Sequence, residues 1–266
     1  MNGKGHECVH INNMDDFWDR LNESDKRFLY LDYDGTLAPF QIDRMKALPL
    51  DGVADLLKEI YRSTDTMLAI ISGRPVSEIL ELLGDIGVII IGSHGFERRD
   101  PGGAIVTRGI SPKHLRGLAE AGEVARMDNP GEMIEKKTAS IAVHTRALSC
   151  ERAGVVERGI LEEWEKIASS HDLEILRFNG GIELRISGAN KGAAMRDLLS
   201  EQPEGAFCVY IGDDSTDEDA FGVIKRCGMG IKVGRVDMES SAQGFLPDIK
   251  SVRDFLQGWL WVSKQG

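Results

Sequence analysis

The 266-residue sequence predicts an α/β protein in which a doubly wound, Rossmann-like parallel sheet carries a smaller inserted α+β unit. Three observations support this. The apolar runs Phe28 to Leu31, Met67 to Ile71, Val88 to Ile91 and Phe207 to Ile211 lack polar alternation, as strands buried on both faces do. Amphipathic segments of helical period alternate with them. Between residues 109 and 186 the alternation gives way to two long helices and several strands with turn chemistry between them.

The elements follow in order. From Asn13, the pattern Phe17, Trp18, Leu21 predicts a helix leading into the Phe28 strand. Pro49-Leu50-Asp51 opens a helix bearing Val53, Leu56, Leu57 and Ile60, and Pro75 starts another bearing Val76, Ile79, Leu82 and Leu83. After Ile91, the turn residues Asp100-Pro101-Gly102-Gly103 and the pair Ile105-Val106 complete a hairpin. In the middle region, helices are expected near Pro112 to Met127 and Ser149 to Ser170. Its strands are expected at Ile134 to Lys136, Ser140 to His144, Glu174 to Phe178 and Ile182 to Ile186, the last two joined through Asn179-Gly180-Gly181. Asn190 then caps a helix with Met195, Leu198 and Leu199. Beyond the Phe207 strand come a helix from Thr216, a short strand at Met229 to Val233 and a final helix ending near Trp261. The expected division is a core of residues 1–108 with 187–266 and an insertion of residues 109–186.

The net charge of −11 argues against nucleic acid or an anionic membrane surface as partner, because both require clustered Lys and Arg. Cys8, Cys150, Cys208 and Cys227 form no C-x-x-C pair and read as reduced thiols. Met1 to His10 lacks the apolar region of a signal peptide, and no run is long enough to span a bilayer. The expectation is a cytoplasmic protein, monomeric by preference.

Chemistry concentrates where strands end. Asp32 and Asp34 follow the first strand, two residues apart and therefore on one side of it, and Gly35 supplies the turn. Asp213, Asp214 and Asp217 follow the Phe207 strand. Neighbouring carboxylates repel, so ionised pairs near neutral pH need a cation, and an all-oxygen donor set favours Mg²⁺ over zinc. Ser72-Gly73-Arg74 ends the second strand at a helix start, where free N–H groups, Ser72, Gly73 and Arg74 make a cradle for an oxyanion. A capped helix with a surface arginine is the bland alternative. Lys191 sits in the first turn of a helix, where the macrodipole disfavours a cation unless a phosphate or aspartate lies beside it.

In this order, Asp32-x-Asp34-Gly35-Thr36, Ser72-Gly73-Arg74, Lys191 and Gly212-Asp213-Asp214-x-x-Asp217 resemble the motifs of the haloacid dehalogenase superfamily of phosphohydrolases. More narrowly the chain is similar to the trehalose-6-phosphate phosphatase family, through Leu31 to Leu37, Ile71 to Arg74, Gly92-Ser93-His94-Gly95-Phe96-Glu97, Glu135-Lys136-Lys137 with Ser140 and His144, and Gly212 to Asp219. The resemblance implies that Asp32 attacks phosphorus to give an aspartyl-phosphate. Asp34 would protonate the leaving sugar oxygen and later deprotonate water. It implies Mg²⁺ held by the Asp32 carboxylate, the Asp34 carbonyl and Asp213, with Asp214 and Asp217 in support, and phosphoryl oxygens held by Ser72 and Lys191.

The insertion would then be the cap that reads the sugar. Lys136, Lys137, Ser140, His144, Arg146, Glu183 and Arg185 alternate along its strands, as substrate-facing groups would and as any half-solvated sheet does. His94 and Glu97 either contact ligand or hold a turn. The chain departs from the family at Thr145, where Tyr is usual, at Ile186, where Pro is usual, and in lacking a lysine between Phe178 and Gly181. These departures fall on the sugar-reading side. They keep open a phosphatase for another glycosyl phosphate, such as sucrose phosphate or a glycosyl-phosphoglycerate, while the core motifs, which would serve the same aspartyl-phosphate, leave a sugar phosphomutase open as well.

Overall fold

The computed structural model describes residues 14–128, 131–178, 180–188, 190–235 and 239–265. The helix start expected at Asn13, the Asn179 turn position, Cys8 and the 1–10 segment lie outside them. In chain order the elements are α1 (Met14–Glu23), β1 (Arg27–Leu31), α2 (Val53–Ser63), β2 (Thr66–Ile71), α3 (Val76–Leu83), β3 (Ile89–Gly92), β4 (Glu97–Arg99) and β5 (Ile105–Thr107). Next come α4 (Pro112–Asp128), β6 (Ile134–Lys136), β7 (Ser140–His144), α5 (Cys150–His171), β8 (Leu173–Phe178) and β9 (Gly181–Ile186). The chain ends with α6 (Lys191–Ser200), β10 (Phe207–Gly212), α7 (Glu218–Ile224), β11 (Gly228–Val233), β12 (Gly244–Leu246) and α8 (Ile249–Ser263).

The larger sheet runs β12-β11-β10-β1-β2-β3-β4-β5, parallel from β12 to β3 and antiparallel through the β4–β5 hairpin at its edge. Its central strands bury both faces because both are covered. Leu29, Leu31, Leu68, Ile70, Val209 and Ile211 pack beneath α1, α2, α3 and α8, while Phe28, Tyr30, Ala69, Ile71, Cys208 and Tyr210 pack beneath α6 and α7. Strand order reverses between β1 and β10, the crevice where open α/β sheets bind ligands. The expected hairpin extends the main sheet at its edge. One departure from the sequence reading is small: β12, three residues long, carries too little pattern to be read from sequence.

The second sheet is antiparallel, in the order β6-β7-β9-β8. Alternation divides its faces. Ile141, Val143, Ile182, Leu184, Leu173 and Ile175 pack under α4 and α5 around Trp164, leaving Glu135, His144, Glu183 and Phe178 on the opposite face. The Trp164 indole is fully buried and donates from Nε1 to the Ala121 carbonyl at 3.2 Å. A Trp164→Ala substitution is expected to lower stability by about 3–5 kcal/mol through the cavity it leaves, measurable by denaturant unfolding. Among the described residues no helix is long and apolar enough to cross a membrane. Cys208 is buried, and Cys150 and Cys227 are exposed free thiols.

Candidate active site

β1 and β10 deliver the acids. The Asp32 amide continues the ladder by donating to Ile211 O at 2.9 Å, which fixes Asp32 beside Asp213 across the strand ends. Gly35, at φ +76°, turns the chain there, and a Cβ on it would fall 2.1 Å from Asp213 Oδ2, so only glycine lets the loop lie this close. Asp32, Asp213 and Asp217 offer carboxylate oxygens all within 4.8 Å of one another. Lys191 enters from the first turn of α6, whose N-cap Asn190 accepts from Ala193 N at 2.7 Å. Its Nζ lies 2.8 Å from both Asp32 Oδ1 and Asp217 Oδ1. The lysine placed against the helix dipole thus has two carboxylates beside it.

Electrostatics here are those of too many buried acids. Burial pushes Asp32 up to about 8 against the pull of Lys191, with Asp217 adding repulsion. Burial, then Asp32 and Asp217, push Asp213 up to about 9. Burial alone would lower Lys191, but Asp217 and Asp32 outweigh it and raise its pKa. Asp217, wholly buried, accepts from Tyr210 Oη, Asp213 N (3.0 Å) and Asp214 N (2.9 Å). Asp213 Oδ1 is buried with no hydrogen-bond partner among the described residues. An orphaned carboxylate oxygen within a cluster of hard donors is the environment a divalent cation fits.

The Asp34 and Asp214 carboxylates lie outside that group of three. The Asp34 side chain is turned into the fork of Arg74, which donates from Nε to Oδ2 at 2.6 Å and from Nη2 to Oδ1 at 2.7 Å. Asp214 accepts from Ser215 N and opens the turn before α7. Ser72 is buried, and its Oγ accepts from Arg74 N at 3.1 Å.

A cavity of about 820 Å³ opens over these groups and is bordered by Asp32, Asp34, Ser72, Gly73, Arg74, His94, Lys191, Asp213 and Asp214 on one side. Glu135, Lys136, Lys137, His144, Arg146 and Glu183 border it on the other. His94, held at φ +56° in a turn after β3, bonds through Nε2 to Glu183 Oε2 at 3.2 Å and so joins the two sides. Burial holds the His94 ring below its ordinary value. Burial also pushes Glu183 up, but Lys137, whose Nζ lies 3.0 Å from Oε1, and His94 outweigh it and hold the carboxyl well below the usual range.

Three predicted sugar contacts do not border the cavity. Glu97 is consumed by Val76 N (2.7 Å), Ser93 Oγ (3.0 Å) and Thr138 Oγ1 (2.5 Å). Ser140 donates to Glu183, and Arg185 pairs with Glu174 at 2.7 Å. Polar alternation marks the correct face but not which members end at solvent. Lys136 has the opposite problem. The strand sends it away from Glu135, and its Cε lies against Gly122 of α4. Sequence reasoning missed Arg44, which pairs with Glu78 on α3 and Glu135 on β6 and ties the two sides together. It opens a 3₁₀ turn, Arg44–Lys46, capped by Asp43 and too short to leave a spacing signal.

The model of the trehalose-phosphatase family matches residues 30–249, most of the chain and every acid described above. The chain belongs to the trehalose-phosphatase family. Family membership implies a divalent metal, in agreement with the acidic cluster. Among curated members, the chain is 31% identical to a probable trehalose-phosphate phosphatase of Sinorhizobium fredii, over 91% of each chain. It is 29% identical to probable trehalose-phosphate phosphatase 9 of Oryza sativa subsp. japonica, over 86% of this chain and 68% of that one. Solved structures share the fold. The Candida albicans trehalose-6-phosphate phosphatase C-terminal domain superposes with a TM-score of 0.81 at 23% identity, covering 92% of this chain and 94% of that one. A haloacid dehalogenase-like hydrolase from Bacteroides thetaiotaomicron superposes at 0.62 and 18% identity, covering 87% and 98%.

Proposed function

We propose that this chain is a Mg²⁺-dependent phosphatase that hydrolyses trehalose 6-phosphate to trehalose and phosphate. The observation that carries the reading is Asp32, a buried carboxylate 2.8 Å from Lys191 and within 4.8 Å of Asp213 and Asp217, at the bottom of a cavity in a trehalose-phosphatase family member. Asp32 attacks phosphorus, its oxygen forming a bond as the bond to the sugar oxygen breaks, and Asp34 donates a proton to that oxygen. Water then attacks the phosphorus of the aspartyl-phosphate, releasing Asp32, while Asp34 takes the proton back. Lys191 and Ser72 hold the phosphoryl oxygens, and Lys191 also orients Asp32. Asp32, the Asp34 carbonyl and Asp213 would hold Mg²⁺, with Asp214 and Asp217 in support, and its positive charge would let the acids ionise together. Residues 1–108 and 187–266 form the catalytic core, and residues 109–186 form a cap that recognises the sugar.

Phosphate release from trehalose 6-phosphate, sucrose 6-phosphate, glucose 6-phosphate and a glycosyl-phosphoglycerate, with Mg²⁺ and with EDTA, tests this reading. Strong preference for trehalose 6-phosphate, lost in EDTA, is expected, and preference for another member would reassign the substrate. Phosphoryl transfer to a second sugar without free phosphate would make the chain a mutase. The role of Asp34 has its own signature. Asp34→Asn should slow sugar phosphate turnover by ~10²–10⁴-fold, yet slow p-nitrophenyl phosphate far less, because nitrophenolate leaves without a proton. Equal losses on both substrates would remove Asp34 from the acid role.

A further inference from the structure

We infer that Phe178 is a platform for the sugar ring furthest from the phosphate, so that stacking on an aromatic face, and not hydrogen bonding alone, selects a disaccharide phosphate at this site. The inference deepens the sugar phosphatase reading and rests on it.

The geometry begins with a gap in a row of side chains. Across the cavity-facing side of the smaller sheet, Phe178, Gly181 and His144 are directly opposed on β8, β9 and β7. A Cβ at Gly181 would fall 2.8 Å from Phe178 Cζ and 2.1 Å from Val143 O. The Phe178 ring therefore occupies the space that a side chain on β9 would fill. It lies across the middle strand and meets His144 edge-on, with centroids 5.5 Å apart and an interplanar angle of 67°. A ring held between two strands in this way is a fixed surface.

The surroundings decide what the surface is for. Two residues along each strand, the next row holds Glu183, which Lys137 and His94 contact, and these polar groups face the phosphate end of the cavity. At Phe178 the lining becomes aromatic. Leu176, opposed to Glu183, and Phe178 line the cavity from the sheet, and Phe40 lines it from the core loop with the Arg146 guanidinium 4.5 Å from its ring centroid. One cavity of about 820 Å³ thus runs from the acids to an aromatic end, within the size range of sites that enclose ligands larger than one phosphorylated ring. A pyranose presents hydroxyls at its edge and C–H groups on its faces. The hydroxyls suit the Glu183 row, and the C–H faces, slightly positive, suit the negative face of an aromatic ring.

The test is steady-state kinetics of wild type, Phe178→Ala and Phe178→Tyr on trehalose 6-phosphate, sucrose 6-phosphate and glucose 6-phosphate. For the disaccharide phosphate that the wild type turns over, Phe178→Ala should raise KM by ~10-fold or more with kcat little changed, and Phe178→Tyr should restore it. The kcat/KM for glucose 6-phosphate, whose single ring does not reach Phe178, should change by less than ~2-fold, which also shows that the variant is folded. Equal losses on the mono- and disaccharide phosphates, or an unchanged KM, would overturn the platform. A wild type that prefers sucrose 6-phosphate defeats the trehalose reading while leaving the mono- versus disaccharide comparison intact. A wild type that prefers glucose 6-phosphate overturns the platform itself.

Discussion

Asp32→Asn protein is expected to release phosphate at the background rate, a loss on the order of 10⁴-fold or more, as when an enzyme's covalent nucleophile is removed. The substitution keeps the shape and removes only the charge and nucleophilicity. A structural account of Asp32 predicts a different result. If its ion pair with Lys191 served mainly to hold β1 against α6, loss of the charge would unfold the site, and melting temperature would fall together with turnover. Lys191 keeps Asp217 at 2.8 Å in the variant, and burial already disfavours the Asp32 charge without metal. The metal-free variant should therefore melt within a few degrees of wild type at neutral pH. Turnover within tenfold of wild type would remove Asp32 from the nucleophile role. Lost turnover with a melting temperature far below wild type would make the residue structural.

Metal removal should make stability fall as pH rises, the reverse of ordinary paired carboxylates. Free aspartates titrate near ~4, whereas Asp32 and Asp213 retain protons to about 8 and about 9. Between the unfolded and folded values the native chain binds more protons than the unfolded one, so unfolding free energy declines with pH by about 1.4 kcal/mol per unit for each proton retained. The stabilisation is complete below the unfolded value and is lost as pH passes through the folded values. A divalent cation competes with those protons, so Mg²⁺ should raise the melting temperature more at pH 8.5 than at pH 6 and flatten the slope. Thermal unfolding in EDTA and in Mg²⁺ across that range checks this, with Asp213→Asn expected to reduce the metal-free slope. A metal-free melting temperature that is level or rises with pH would show that the acids do not crowd as described.

Elements whose side chains face one uniform environment were legible in the sequence. β1, β2 and β10 are apolar throughout because helices cover both faces of the sheet, and the acids at their ends stand out against those runs. Asp32, Asp213 and Asp217 stood out at strand ends and Lys191 at the start of a helix, and the structure brings their charged atoms together. The second side of the cavity was less legible. Glu183 borders it while Arg185, two residues on and on the same face, is drawn to Glu174, a difference set by a neighbouring strand that spacing does not reveal. Arg44 and Phe40 come from a connection whose one 3₁₀ turn is too short to show a period, and their places are set by tertiary contacts. The position of Phe178 depends on the absence of a side chain at Gly181, on a strand paired to it.

The place of the smaller sheet in the chain also sets the order in which the protein assembles. β1 is synthesised early, yet its neighbour β10 emerges only after α4 to α6, because Arg27 pairs with Phe207. A nascent chain holding β1 to β3 therefore lacks the partner that completes the sheet's centre, while the intervening segment, whose contacts are mostly among its own neighbours, is already whole. Asp32 waits through that interval without Asp213 or Asp217. The mutually repelling acids are brought together only when β10 pairs with β1, and the burial that comes with that pairing adds to their cost, which Lys191 offsets.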